Sequence, residues 1–72
     1  MRETDEKEEI RCQLEVADID KLNRIFEGCD GIGIVSTIDR KRGLVVVRVT
    51  PETYDEALTI LLNAPFAVNI LS

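Results

Sequence analysis

Cys12 and Cys29 are the only thiols of this chain, and so its only soft metal ligands and its only thiol nucleophiles. Histidine is absent, which removes the commonest general base and the commonest metal ligand. Two cysteines without histidine do not close a tetrahedral zinc site within one chain, although a symmetric pair of chains could supply four thiolates. Cys12 alternates with Ile10 and Leu14, so its thiol reads as a small buried hydrophobe. A Cys12–Cys29 disulfide is geometrically conceivable if the intervening helix returns Cys29 to within roughly 7 Å of Cys12, Cα to Cα. The acids are accounted for by helix starts: Asp18 and Asp20 at one, Glu52, Asp55 and Glu56 at another, where carboxylates complement the positive end of the dipole. Ser36 and Thr37 have no basic neighbour to activate them, and Tyr54 shares an apolar stripe. No nucleophile, base and orienting group come together, so no catalytic residue, no metal and no cofactor is expected.

Two short stretches could instead bind. The turn Gly28-Cys29-Asp30-Gly31-Ile32-Gly33 concentrates glycines, which let a backbone approach a ligand and expose its amides. Gly28, Cys29, Asp30, Gly31 and Gly33 are therefore the candidate ligand-binding residues. A phosphate loop is excluded, because there the glycine turn follows a strand and opens a helix, whereas here it follows a helix and opens a strand. Its plainer explanation is a C-cap, a tight turn and a strand glycine. Arg40, Lys41 and Arg42 form the one basic cluster, with Arg48 close behind, and could recognise an acidic partner or a phosphate. A charged hairpin tip kept soluble is the plainer explanation there.

These residues sit on a short chain. Seventy-two residues, 44% hydrophobic and 32% charged, make one small soluble domain. No apolar run approaches the roughly 18 to 20 residues of a membrane span, and the acidic start does not read as a signal peptide, so the expected address is the cytoplasm. A net charge of −5 argues against general binding to nucleic acid or anionic lipid, so neither a nucleic acid nor a membrane is an expected partner. Residues 1–9 carry five acids, two bases and nothing apolar after Met1, and read as a flexible charged tail. A single domain is expected over 10–72.

Within it, Ile10, Cys12, Leu14 and Val16 alternate with polar residues, which predicts a half-buried strand. Asp18 stands where an N-cap belongs, Ile19, Leu22, Ile25 and Phe26 recur at helical spacing, and Gly28 reads as a left-handed C-cap, so a helix is predicted over 18–28. The β-branched runs 32–39 and 43–50 predict two strands joined by the hairpin 40–42. Thr50-Pro51-Glu52 opens a second helix whose stripe is Tyr54, Ala57, Leu58, Leu61 and Leu62, and Asn63-Ala64-Pro65 ends it. Phe66, Val68 and Ile70 alternate in a last strand. Right-handed crossovers then give an α+β, ferredoxin-like β-α-β-β-α-β sandwich: a four-stranded antiparallel sheet of order 4-1-3-2 with both helices on one face.

That order of elements over residues 10–71 resembles the ferredoxin-like superfold and, within it, the regulatory ACT domains. The pattern Ile25-Phe26-Glu27-Gly28-x-x-Gly31, with a Thr-containing strand and a hairpin after it, is also similar to a family of small uncharacterised bacterial proteins of about this length. The ACT resemblance implies small effectors, amino acids among them, bound at dimer interfaces with help from a glycine between strand one and helix one. Here that loop, Val16-Ala17-Asp18, has no glycine.

With both helices on one side, the open face should present Arg11, Gln13 and Glu15 beside Leu44, Val46 and Arg48, flanked by Ala67, Asn69 and Leu71. Strand two adds either Ile32, Ile34 and Ile38 or Gly33, Val35 and Thr37, and the sequence leaves both sets open. Leu44, Val46, Leu71 and Val35 could form an apolar patch large enough for a partner. Arg48 and Glu15 could pair across neighbouring strands. The expected function is a non-enzymatic regulatory or interaction module. It is a homodimer through the open face or a sheet edge, partnered through Leu44, Val46 and Arg48, and takes a small effector beside the Gly28–Gly33 turn. The alternative is a monomeric adaptor that docks on a larger protein or ribonucleoprotein through Arg40, Lys41 and Arg42.

Overall fold

The alternation of apolar residues at the start of the chain folds as expected into a half-buried strand, an inner one of the sheet. A computed structural model describes residues 8–29 and 31–71. In it β1 (Glu9–Leu14) buries Ile10, Cys12 and Leu14 and exposes Arg11 and Gln13. Then follow α1 (Val16–Gly28), β2 (Ile34–Asp39), β3 (Leu44–Arg48), α2 (Tyr54–Leu62) and β4 (Val68–Ile70). The four strands form one antiparallel sheet in the order β2-β3-β1-β4, the ferredoxin-like arrangement read from the sequence.

Period-2 geometry on the sheet and period-3.6 geometry on the helices produce a single core. Ile10, Cys12 and Leu14 of β1, Val45 and Val47 of β3 and neighbouring Val49 meet Ile19, Leu22 and Phe26 of α1 and Ala57 and Leu61 of α2. The register decides the orientation of β2, which the sequence left open. Val35 lies opposite Val47, and Thr37 opposite Val45, both of which are buried, so Val35 turns to the helix side and Ile34 and Ser36 to the open side.

Several boundaries move, each for a local reason. Glu9, expected in the tail, opens β1 opposite Arg48, and the Glu8 carbonyl accepts a hydrogen bond from the Val49 N–H at 2.9 Å. Residues 1–7, the rest of that expected tail, lie outside the described residues. The first helix starts two residues early: Glu15 is the N-cap, without a side-chain cap bond, while Asp18 lies in the first turn. Val16 therefore leaves the strand and is 39% exposed, and Val16, Ala17 and Asp18 are helical instead of a loop. Gly28 is the last helical residue and not a left-handed cap; positive φ occurs at Gly31 and Gly43 instead. The second helix opens later, at Thr53, because Thr50 and Thr53 build a turn of their own. The Thr50 N–H donates to Thr53 Oγ1 at 3.1 Å, and the Thr53 N–H donates to the Thr50 carbonyl at 3.0 Å.

The β2–β3 hairpin is pinned to the end of β1. Gly43 has φ +70°, its carbonyl accepts from the Leu14 N–H at 3.0 Å, and a Cβ there would overlap the Leu14 carbonyl. Gln13 Nε2 donates to the Arg42 carbonyl at 3.0 Å beside it. Gly43→Ala is expected to cost more than about 2 kcal/mol, since it combines backbone strain with a clash against main chain. Gly28→Ala meets open space at a helical position and is expected to be neutral or stabilising by up to about 1 kcal/mol. Urea unfolding of the two variants checks the contrast.

Candidate functional site

The glycine turn is a closed β-turn. The Ile32 N–H donates to the Cys29 carbonyl at 3.2 Å, and Gly31, at φ +78°, occupies the third position, where left-handed backbone selects glycine. Beyond it Gly33 lies against β3: a Cβ would sit 3.0 Å from Val49 Cγ1 and 3.1 Å from the Arg48 carbonyl. A groove of about 580 Å³ lies between the second half of α1, the start of β2 and the end of β3. Phe26, Ile32, Val35 and Val49 give it an apolar lining, and Asn23, Glu27, Thr50 and Thr53 add polar groups. Thr50 Oγ1 and Thr53 Oγ1 lie 3.1 Å apart and are engaged with each other.

Of the five turn residues singled out by the sequence, Gly31 and Gly33 line this groove. Cys29 lines a separate hollow with Ile32, Asp55, Glu56, Thr59 and Ile60. Gly28 lines neither, and Asp30 lies outside the described residues. The groove also draws on residues that no local pattern flagged. Asn23 and Glu27 lie on α1 and Val49 and Thr53 in the connection from β3 to α2, and only the packing of α1 against the sheet brings these two distant stretches together.

The basic hairpin is partly neutralised. Arg40 reaches Asp20 on α1 at 3.7 Å, and Arg42 reaches Asp39 at 3.8 Å, both at exposed positions. Lys41 has no ion pair among the described residues. Exposed pairs of this kind contribute less than about 1 kcal/mol each, but they lower the field an acidic partner would meet.

On the open face the pairing differs from expectation. Glu15 is at the helix cap, so Arg48 pairs with Glu9 at 3.6 Å, and the same carboxylate meets Arg11 at 3.5 Å. Val46 lies opposite Arg11 and two positions from Arg48, and it is 5% exposed although it faces away from the helices. It sits on an inner strand between Arg11 of β1 and Ser36 of β2, a position in which a long arginine stem can cover an apolar neighbour. With Val35 turned inward and Val46 covered, the expected patch shrinks to Leu71 and half-buried Leu44. The large exposed hydrophobics of the sheet are instead Ile34 and Ile38 on the outermost strand, with Leu71 at the other side.

Both cysteines are free thiols. Cys12 is fully buried, and burial pushes its thiol up to about 11. Among the described residues no group of three or more His, Cys, Asp or Glu could hold a metal ion. No helix there is long and apolar enough to cross a membrane.

Residues 12–68 match the family model described as Domain of unknown function (DUF4911). The chain belongs to the DUF4911 family. The matched stretch contains the groove, the glycine turn and the basic hairpin of this DUF4911 chain. No curated protein and no solved structure matches it.

The raised Cys12 thiol has a signed consequence. The neutral form is the one the core accepts, so its stabilisation is complete below the ordinary thiol range near 9 and is lost as pH rises towards about 11. A shift of this size corresponds to on the order of 2–3 kcal/mol. Urea midpoints of the native chain are expected to fall between pH 9 and 11 more steeply than those of Cys12→Ala. At neutral pH an aromatic disulfide reagent is expected to titrate Cys29 quickly and Cys12 only in denaturant.

Proposed function

We propose that this DUF4911 chain is a non-enzymatic, ACT-like regulatory module that self-associates through its sheet and takes up a small effector. The observation that carries the reading is the groove beside Gly31 and Gly33. Its volume of about 580 Å³ lies within the range of small-molecule sites. Its chemistry suits a ligand with an apolar body held by Phe26, Ile32, Val35 and Val49, and a polar end that Asn23 and Glu27 can meet. The reading is also supported by size: a chain this short buries a modest core, and a second copy or a bound ligand adds stability by mass action.

A monomeric adaptor acting through the hairpin is the second reading. It is favoured by the cleft of about 350 Å³ in which Lys41 and Arg42 meet Gln13, Glu15 and Asn69. The Arg40–Asp20 and Arg42–Asp39 pairs place it second, because they spend much of the positive charge within the chain.

Native mass spectrometry of the untagged chain, purified mildly from its host, tests effector binding. A reproducible small-molecule adduct is expected on the unmodified chain. Asn23→Trp, which fills the groove from a half-buried helix position, is expected to lose that adduct while its thermal midpoint changes by no more than a few degrees. An adduct retained at full occupancy by Asn23→Trp counts against the groove.

A further inference from the structure

The sheet has two edges, and they are unequal. β4 is three residues long and follows Pro65, and short strands and proline are the usual means of blunting an edge. β2 is six residues long, contains neither proline nor lysine, and bears no charge from Ile34 to Ile38. Ile34 is 69% exposed and Ile38 57%, and both stand on the same outer strand. Its one irregularity is a shift in pairing with β3 between Thr37 and Asp39, which leaves Ile34 to Thr37 regular.

Resting on the self-association reading above, we propose that two copies join edge to edge along β2, antiparallel and centred on Ser36, and that the partner's hairpin closes the open side of the groove. A second copy is the occupant that this edge itself specifies. In a two-fold pairing centred on Ser36, each Ile34 lies opposite the other copy's Ile38, so the two exposed isoleucines of one chain cover those of the other. Val35 lies opposite Thr37 on the helix side. The uncharged stretch brings no like charges together. Centring on Thr37 instead would set Ile34 against Arg40, and Ile38 against Ser36, leaving the apolar side chains unmatched.

Charge complementarity supports the same register. Beyond Ile34 the chain of one copy leads back to Gly33, Ile32 and Gly31, the turn that borders the groove, and the antiparallel course of the second copy carries its hairpin end, with Arg40 and Lys41, towards that turn. Glu27 lines that groove and has no ion pair among the described residues, and Lys41 has none either. The dimer brings Lys41 of one copy towards Glu27 of the other, at both ends of the interface. The glycine turn and the basic hairpin, far apart within one chain, thereby border one composite site, and a ligand with an acidic group would meet Lys41 at its mouth.

The test uses the full chain carrying Cys29→Ser, so that buried Cys12 is the only native thiol left. Ser36→Cys in that background is expected to form an intermolecular disulfide under mild oxidation, giving a species of twice 8.1 kDa, because the two positions face each other at strand spacing. Ile34→Lys, at a position exposed in the single chain, is expected to weaken dimerisation by about tenfold or more in sedimentation equilibrium while leaving the circular dichroism spectrum unchanged. Glu27→Lys is expected to weaken the dimer, and adding Lys41→Glu on the same chain to restore it. A monomer at every concentration overturns both this proposal and the self-association reading. A dimer that survives Ile34→Lys and gives no Ser36→Cys cross-link overturns the β2 interface alone.

Discussion

A sheet covered by helices on one face only must still satisfy its other face and its two edges, and the rest of this molecule depends on how it does so. The covered face is simple: alternate residues of β1 and β3 turn inward and meet the apolar stripes of α1 and α2 in one core. The uncovered face carries an ion-pair cluster. Glu9 holds both Arg11 and Arg48, and Val46 between them is nearly removed from solvent. What stays unsatisfied is β2, an edge with paired backbone on one side and two exposed isoleucines. Exposed apolar surface therefore concentrates on β2, where Ile34 stands on the uncovered side at the margin of the sheet, next to the groove.

The fold was legible from the sequence because its signals were local and mutually consistent. The alternation of Ile10, Cys12 and Leu14, the stripe of Ile19, Leu22 and Phe26 and the hairpin at 40–42 each point to the same topology. The errors came where one residue had two plausible jobs. Asp18 and Gly28 look like caps, yet Asp18 lies within the first turn and Gly28 within the last, with the left-handed residue displaced to Gly31. Glu9 has the composition of a tail, but its pairing opposite Arg48 is a non-local event that no window of neighbouring residues reveals.

The site was legible in part. Gly31 and Gly33 were visible because glycine marks close backbone approach, and the structure places both on the groove. Asn23, Glu27, Val49 and Thr53 were not, since each is unremarkable in its own stretch of chain and they meet only through the packing of α1 against the sheet. The facing of β2 was likewise undecidable from its composition, because Ile34 and Val35 are equally apolar. The register with β3 settles it, turning Val35 towards the helices and leaving Ile34 on the open side.

The account stands on β2 being a working interface. Hydrogen–deuterium exchange of the full, unmodified chain across a range of protein concentrations reads that strand directly. The account expects amides of residues 34–38 to gain protection as concentration rises, while those of β4, at the opposite edge, exchange at a constant rate. Exchange in 34–38 that does not change with concentration, or protection that rises at β4 instead, would contradict it.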